Sequence, residues 1–134
     1  MFQTLDISAS ALLAQRIRMD TIAGNVANMN TTHDANNKPN PYRRRFVVMV
    51  PGQPGDTSKP GVHVEAVKLD QSPFKKVQDW GNPDHDANGY VNMPNIDMTT
   101  EVVNGMDATR AYEANVMAMD ATKSMFTSAL RLIA

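Results

Sequence analysis

The sequence predicts a mainly α protein with a small β insertion. Long N- and C-terminal helices are expected to pack as an antiparallel coiled-coil pair, with short strands and turns between them. Three observations lead there. All eight prolines (Pro39, Pro41, Pro51, Pro54, Pro60, Pro73, Pro83 and Pro94) lie in the middle of the chain. Both ends carry apolar residues at heptad spacing, and the middle alternates apolar with polar residues over short runs. Proline removes a backbone donor and clashes with the preceding turn, so the ends are free to be helical and the middle is not.

The N-terminal helix is expected over about Phe2 to Ala27, where Leu5, Leu12, Met19 and Val26 keep a strict heptad. Phe2, Ala9, Ala23 and Ala27 widen that stripe. At 1.5 Å per residue such a helix runs roughly 40 Å. It should end in the run Asn25, Asn28, Asn30, because asparagine favours helix ends and turns. The C-terminal seam is Tyr112, Val116, Met119, Phe126, Leu130 and Ile133, with Lys123 interrupting one apolar position. Asp97 is the expected N-cap of this helix, and Glu101 falls near the positive end of its dipole.

Between them, strands are expected over Tyr42 to Val50, Gly61 to Leu69, Phe74 to Trp80 and Gly89 to Met93, each bounded by Pro, Gly, Asn or Asp. Val62, Val64 and Ala66 alternate with His63 and Glu65, then Val67 and Leu69 shift phase, so a bulge is expected near Ala66. The chain therefore divides into an N-terminal helix (1–29), a β-rich or extended middle (30–96) and a C-terminal helix (97–134).

Composition narrows the function. A net charge of −1 argues against a strongly basic nucleic-acid binder. With no cysteine there is no disulfide, zinc thiolate or thiol nucleophile, which suits a chain that must stay uncrosslinked during transport. Charges interrupt the apolar terminal segments, so no membrane span is expected, and no cleavable signal peptide is visible.

The chemistry-bearing motifs are weak. Asp84-His85-Asp86-Ala87-Asn88-Gly89 matches the first half of an EF-hand loop, but position twelve would be Asn95 where a bidentate glutamate is needed. A polar turn is the better reading. His33, His63 and His85 are too scattered to define a metal site, and no nucleophile elbow or phosphate-cradling glycine loop is present. No catalytic, cofactor-binding or metal-binding residues are assigned, and no enzymatic activity or small-molecule substrate is expected. Arg43, Arg44 and Arg45 are the only basic run. They suit a solvated strand edge, or pairing with carboxylates of neighbouring subunits. Off the seams, Ile7, Ile17, Val103, Met117 and Met125 would stay partly exposed in a monomer, which marks an association face.

Residues 11–32 resemble the N-terminal signature of the flagellar rod, hook and hook-associated proteins, in which a long helix ends in an Asn-x-Ala-Asn-x-x-Thr turn. Here Asn25, Ala27, Asn28 and Thr31 fill that turn. Pro41-Tyr42-Arg43-Arg44 followed by Val47-Val48, and Gly89-Tyr90-Val91 leading to Pro94-Asn95-Ile96, are similar to the proximal-rod branch. Arg110-Ala111-Tyr112-Glu113-Ala114-Asn115 is similar to the family's C-terminal motif, while Gly105-Met106-Asp107 departs from its usual uninterrupted helical stretch.

The resemblance implies a structural subunit of the basal-body rod, spanning the periplasm and exported without cleavage by the flagellar type III apparatus. It implies helical polymerisation with copies of itself and with rod proteins of the FlgB, FlgF, FlgG and FliE type, to form a drive shaft that encloses the export channel. No nucleic acid, cofactor or membrane insertion belongs to that picture. Asn25, Asn28, Arg110, Glu113 and Asn115 are then candidates for polar contacts that set helix register. The competing reading is a coiled-coil scaffold that closes into a discrete oligomer.

Overall fold

The computed structural model describes residues 2–56 and 58–133, the side chains of Phe2 and Ile133 excepted. Helix α1 spans Phe2–Ala27 and helix α2 spans Met98–Ile133. Between them lie β1 (Arg45–Pro51), β2 (Val62–Leu69), β3 (Lys75–Gln78) and β4 (Tyr90–Met93). The strands form two separate two-stranded antiparallel sheets, β1 with β2 and β3 with β4.

The expected ends of α1 hold. In its last turn Asn28 donates its side-chain amide to the Gly24 carbonyl at 2.9 Å, and Thr31 Oγ1 donates to Asn28 Oδ1 at 3.2 Å. The Gly24 carbonyl also accepts from the Asn28 backbone amide at 3.2 Å, so the main chain and side chain of Asn28 both close onto the last turn. Helix α2 starts on the expected cap, since Asp97 Oδ2 accepts from the Thr100 amide at 3.0 Å and from its hydroxyl at 2.8 Å. Gly105 does not break α2. A Cβ there would sit 3.7 Å from Ile22, an ordinary contact across the helix pair.

The helices run antiparallel. Glu101 meets Asn25, Gly105 faces Ile22, and Thr109 Oγ1 lies 3.7 Å from Met19 Sδ, so α2 advances as α1 retreats. Leu5, Leu12, Met19 and Val26 are half-buried, as are Tyr112, Val116, Met119 and Phe126. Farther along α2, half-burial passes to Thr122 and Ala129, and Leu130 is 51% exposed. Helix α2 has 36 residues against 26 in α1, and with Thr109 beside Met19 its last turns run past Phe2, the start of α1, so Leu130 stays in phase with the seam but has no helix opposite it. The Ile133 side chain lies outside the described residues.

The bulge falls where the alternation broke. Val48 pairs with Ala66 and Met49 with Val64, leaving Glu65 as the extra, exposed residue of β2. Helix α1 holds this hairpin through Ser10, whose hydroxyl donates to the Ile7 carbonyl at 2.7 Å and accepts from the Val62 amide at 3.1 Å. Gly61 makes the approach possible. Its φ is +137°, and a Cβ would come within 3.1 Å of Ser10 Oγ.

Few apolar side chains are fully covered. Ala14, Val91, Ile96 and Ala108 are buried, while Leu13, Trp80, Met117, Met125 and Leu132 are 62–89% exposed. Much of the large apolar surface therefore remains outside the chain's own core.

Candidate functional site

At the junction of α1, α2 and the β1–β2 hairpin sits a polar cluster whose two central groups, Asn25 and Glu101, are both fully buried. Asn25 lies in the last turn of α1 and reads the backbone of β1 like a neighbouring strand. Its Nδ2 donates to the Arg45 carbonyl at 2.8 Å, and its Oδ1 accepts from the Arg45 amide at 2.9 Å. The same Nδ2 also donates to Glu101 Oε2 at 3.0 Å. Arg44 Nε donates to the other carboxylate oxygen, Oε1, at 2.6 Å. Both oxygens of the buried glutamate are thus satisfied, one from each direction.

The outer part of the cluster fixes the remaining chain. Asn95 Oδ1 accepts from the Arg44 amide at 2.8 Å, while its Nδ2 donates to the carbonyls of Asp70 and Ser72, both at 3.2 Å. Arg43 Nη1 reaches the same two carbonyls at 2.9 and 3.0 Å, and its guanidinium lies 4.3 Å from the Phe74 ring centre. Arg44 also faces Asp70 Oδ2 at 3.4 Å. One residue from each of five separate stretches of chain (Asn25, Arg44, Asp70, Asn95, Glu101) therefore meets in one network. Such a network fixes how the helices and hairpins sit relative to one another.

The expected site residues divide by position. Asn25 and Arg44 are central to the network, and Asn28 completes the end of α1. Arg43 and Arg44 engage their own chain, leaving Arg45 exposed with its guanidinium 5.4 Å from the Tyr42 ring centre. Arg110 and Glu113 are exposed on α2, and Asn115 donates back to the Ala111 carbonyl at 2.8 Å. Sequence reasoning missed the roles of Glu101, Asn95 and Asp70. Glu101 was placed at the helix start for its charge alone, and Asn95 as a failed calcium ligand and as one residue of a family-like motif. No local pattern joins either to Arg44, because their partners are 57 and 51 residues away.

The calcium-loop look-alike is a closed polar turn. Asp86 Oδ1 accepts from the amides of Asn88 and Tyr90, both at 2.9 Å, and Asp84 pairs with His33 Nε2 at 2.8 Å. Among the described residues no three acidic or histidine side chains gather as a metal site, and no helix is long and apolar enough to cross a membrane.

Two carboxyls at the rim are held below their ordinary value of 3.8. Asp70 is lowered first by the Ser72 hydroxyl and then by the Ser72 amide, with the Arg44 charge adding to this. Asp97 is lowered by the Thr100 hydroxyl and amide. A depressed folded-state value means the unfolded chain takes up protons first as pH falls. The associated stability is complete above the unfolded value, and is lost below pH 3.8 as pH falls through the folded values. We expect a melting temperature that is level from neutral pH to about pH 5 and falls below it, with a shallower fall in the double variant Asp70→Asn, Asp97→Asn. Identical acid profiles for parent and variant would contradict this.

Comparison with known proteins agrees with the geometry. Residues 5–32 match the family described as flagella basal body rod protein, and residues 87–132 match the C-terminal region of the flagellar basal body rod FlgEFG proteins. The first match contains Asn25 and Asn28, and the second contains Asn95 and Glu101. Flagellar basal-body rod protein FlgC of Bacillus subtilis (strain 168) is 41% identical, with 98% of this chain and 97% of that protein aligned. FlgC of Salmonella typhimurium (strain LT2) is 43% identical, covering 95% of this chain and 93% of its own. FlgC of Borreliella burgdorferi is 33% identical, covering 99% and 97%. With near end-to-end similarity at these identities, the chain belongs to the FlgC family of flagellar basal-body rod proteins, structural subunits of the rod.

Proposed function

We propose that this chain polymerises helically in the proximal part of the rod, with copies of itself and with other rod proteins as neighbours. In this reading the α1–α2 pair forms an inner layer around the export channel, packed as a coiled coil with neighbouring pairs. The middle segment makes outer contacts, and the assembled tube carries torque across the periplasm. The subunit reaches its place through the flagellar export apparatus with its first residues intact.

One observation carries the reading. On α2, Val103, Met106, Met117, Met125 and Leu132 are 51–89% exposed. At 100° per residue they fall within a sector of about 100°, roughly opposite Glu101 and Ala108, which face α1. The helix thus has one face filled by its own chain and a second apolar face left open. A face of this kind is satisfied by a neighbour, and where donor and acceptor faces differ the contacts need not close.

The test is an internal tag inserted beside Gly55, where the backbone has φ +83° and nothing lies within 4 Å of a built Cβ. In purified hook–basal bodies, electron microscopy should place the tag on the rod, close to the inner-membrane ring. Label along the hook, or none in the particle, would overturn the assignment.

A further inference from the structure

A cleft of about 310 Å³ opens between α1, β1 and the start of α2. Its apolar lining includes Ile22, Phe46 and Met49, and its polar lining includes Arg18, Arg45 and Asn104. The volume is about twice the roughly 150 Å³ of an apolar cavity that admits benzene. Arg44, also on the wall, is matched by Glu101 and Asp70. Arg18 and Arg45 are not: neither guanidinium has a carboxylate partner among the described residues, and the Asn104 amide has no hydrogen bond there. The Tyr42 ring holds the Arg45 guanidinium from one face, which leaves its edge donors available. This cleft suits an apolar knob flanked by two carboxylates.

The described residues carry one such knob. Among the exposed large apolar side chains described on the two helices, only Met117 has a carboxylate on its own face one turn away on each side. Those carboxylates are Glu113 at i−4 and Asp120 at i+3. Met117 is 68% exposed, and neither acid has an ion-pair partner among the described residues. Leu13 is flanked instead by Ala9 and Arg16, and Met125 by Ala121 and Ser128. Met117 cannot fill the cleft of its own chain, because it lies about 20 Å along α2 from Asn104.

We infer that the Arg18–Arg45 cleft receives the Glu113–Met117–Asp120 face of a second copy of this chain. Met117 enters against the apolar lining, and the two carboxylates meet the two unmatched arginines. Cleft and knob are different patches, so the contact is heterologous and can repeat from copy to copy. This rests on the rod reading above and specifies which surfaces meet within it.

The absence of cysteine in the chain gives a clean test. Phe46→Cys and Met117→Cys variants are co-produced in a flagellated cell, hook–basal bodies are purified and oxidised, and dimers are read on a non-reducing gel. A disulfide needs Cβ atoms about 3.5–4.5 Å apart, so the pair should give at least about tenfold more dimer than Phe46→Cys with Met125→Cys. Adding Arg45→Glu should abolish the dimer, and adding Glu113→Lys as well should restore it. Subunits present in the particle with dimer no greater than the Met125 control would overturn this contact and leave the rod reading standing. Subunits missing from the particle would overturn both.

Discussion

Replacing Arg44 with alanine is expected to destabilise the fold by about 3–5 kcal/mol, the usual cost of removing one partner from a buried ion pair. Glu101 is fully buried, and Arg44 Nε is its only cationic contact among the described residues, at 2.6 Å. With the arginine gone, the carboxylate keeps a single donor, the Asn25 amide, in a place water does not reach. The Arg44–Asp70 contact at 3.4 Å would be lost as well, but both groups there are partly exposed and screened, so it adds little. Arg44→Lys should recover only part of the loss, since an ammonium cannot reproduce the planar fork that reaches both Glu101 and Asp70. The double variant Arg44→Met, Glu101→Leu should recover much of it, because it removes the buried charge along with its partner. Denaturant titration of the three variants checks this. A cost below about 1 kcal/mol for Arg44→Ala would mean the pair is not the anchor described here.

Met119→Asp and Phe126→Asp are expected to abolish incorporation into the rod. Both side chains are half-buried, on the stretch of α2 that continues the contact line of Glu101, Gly105 and Ala108 against α1. An aspartate at either position lies one turn from Lys123 and could be met only by drawing that ion pair and its water against the helix pair, so the apolar contact is lost in either case. The two ends of the pair should respond differently. Near Asn25 and Glu101 the polar network holds α1 and α2 together, so the aspartates should loosen the distal turns first and leave the hairpin junction intact. Hydrogen exchange on the purified variants should show lost protection at the start of α1 and the end of α2. Rod incorporation and motility should fall to background, and normal incorporation of both variants would refute the packing role assigned to these positions.

Much of the architecture was readable because it depends on local chemistry. Proline confined to the middle left only the ends able to form long helices. Asn28 was recognisable as an end of α1 because its side chain acts within one helical turn, and Asp97 as the start of α2 for the same reason. The bulge at Glu65 showed as a break in a two-residue alternation. Leu130 was harder to place. The heptad put it on the seam, and it stays in phase there, but the longer α2 carries that position beyond Phe2, the start of α1.

The sequence by itself determined the element order, the helix ends, the hairpin register break and the resemblance that points to the rod. These follow from backbone sterics and from side chains acting over a few residues. Only the tertiary structure decided which polar residues matter together. Glu101 looks like any acid in the first turn of a helix until Arg44 arrives from 57 residues away. Asn95 looks like part of a turn until its amide bridges Arg44 to the carbonyls of Asp70 and Ser72. Whether a charge is solvated or buried depends on what the rest of the chain places beside it. That is a property of three-dimensional packing, and neighbouring residues in sequence do not encode it.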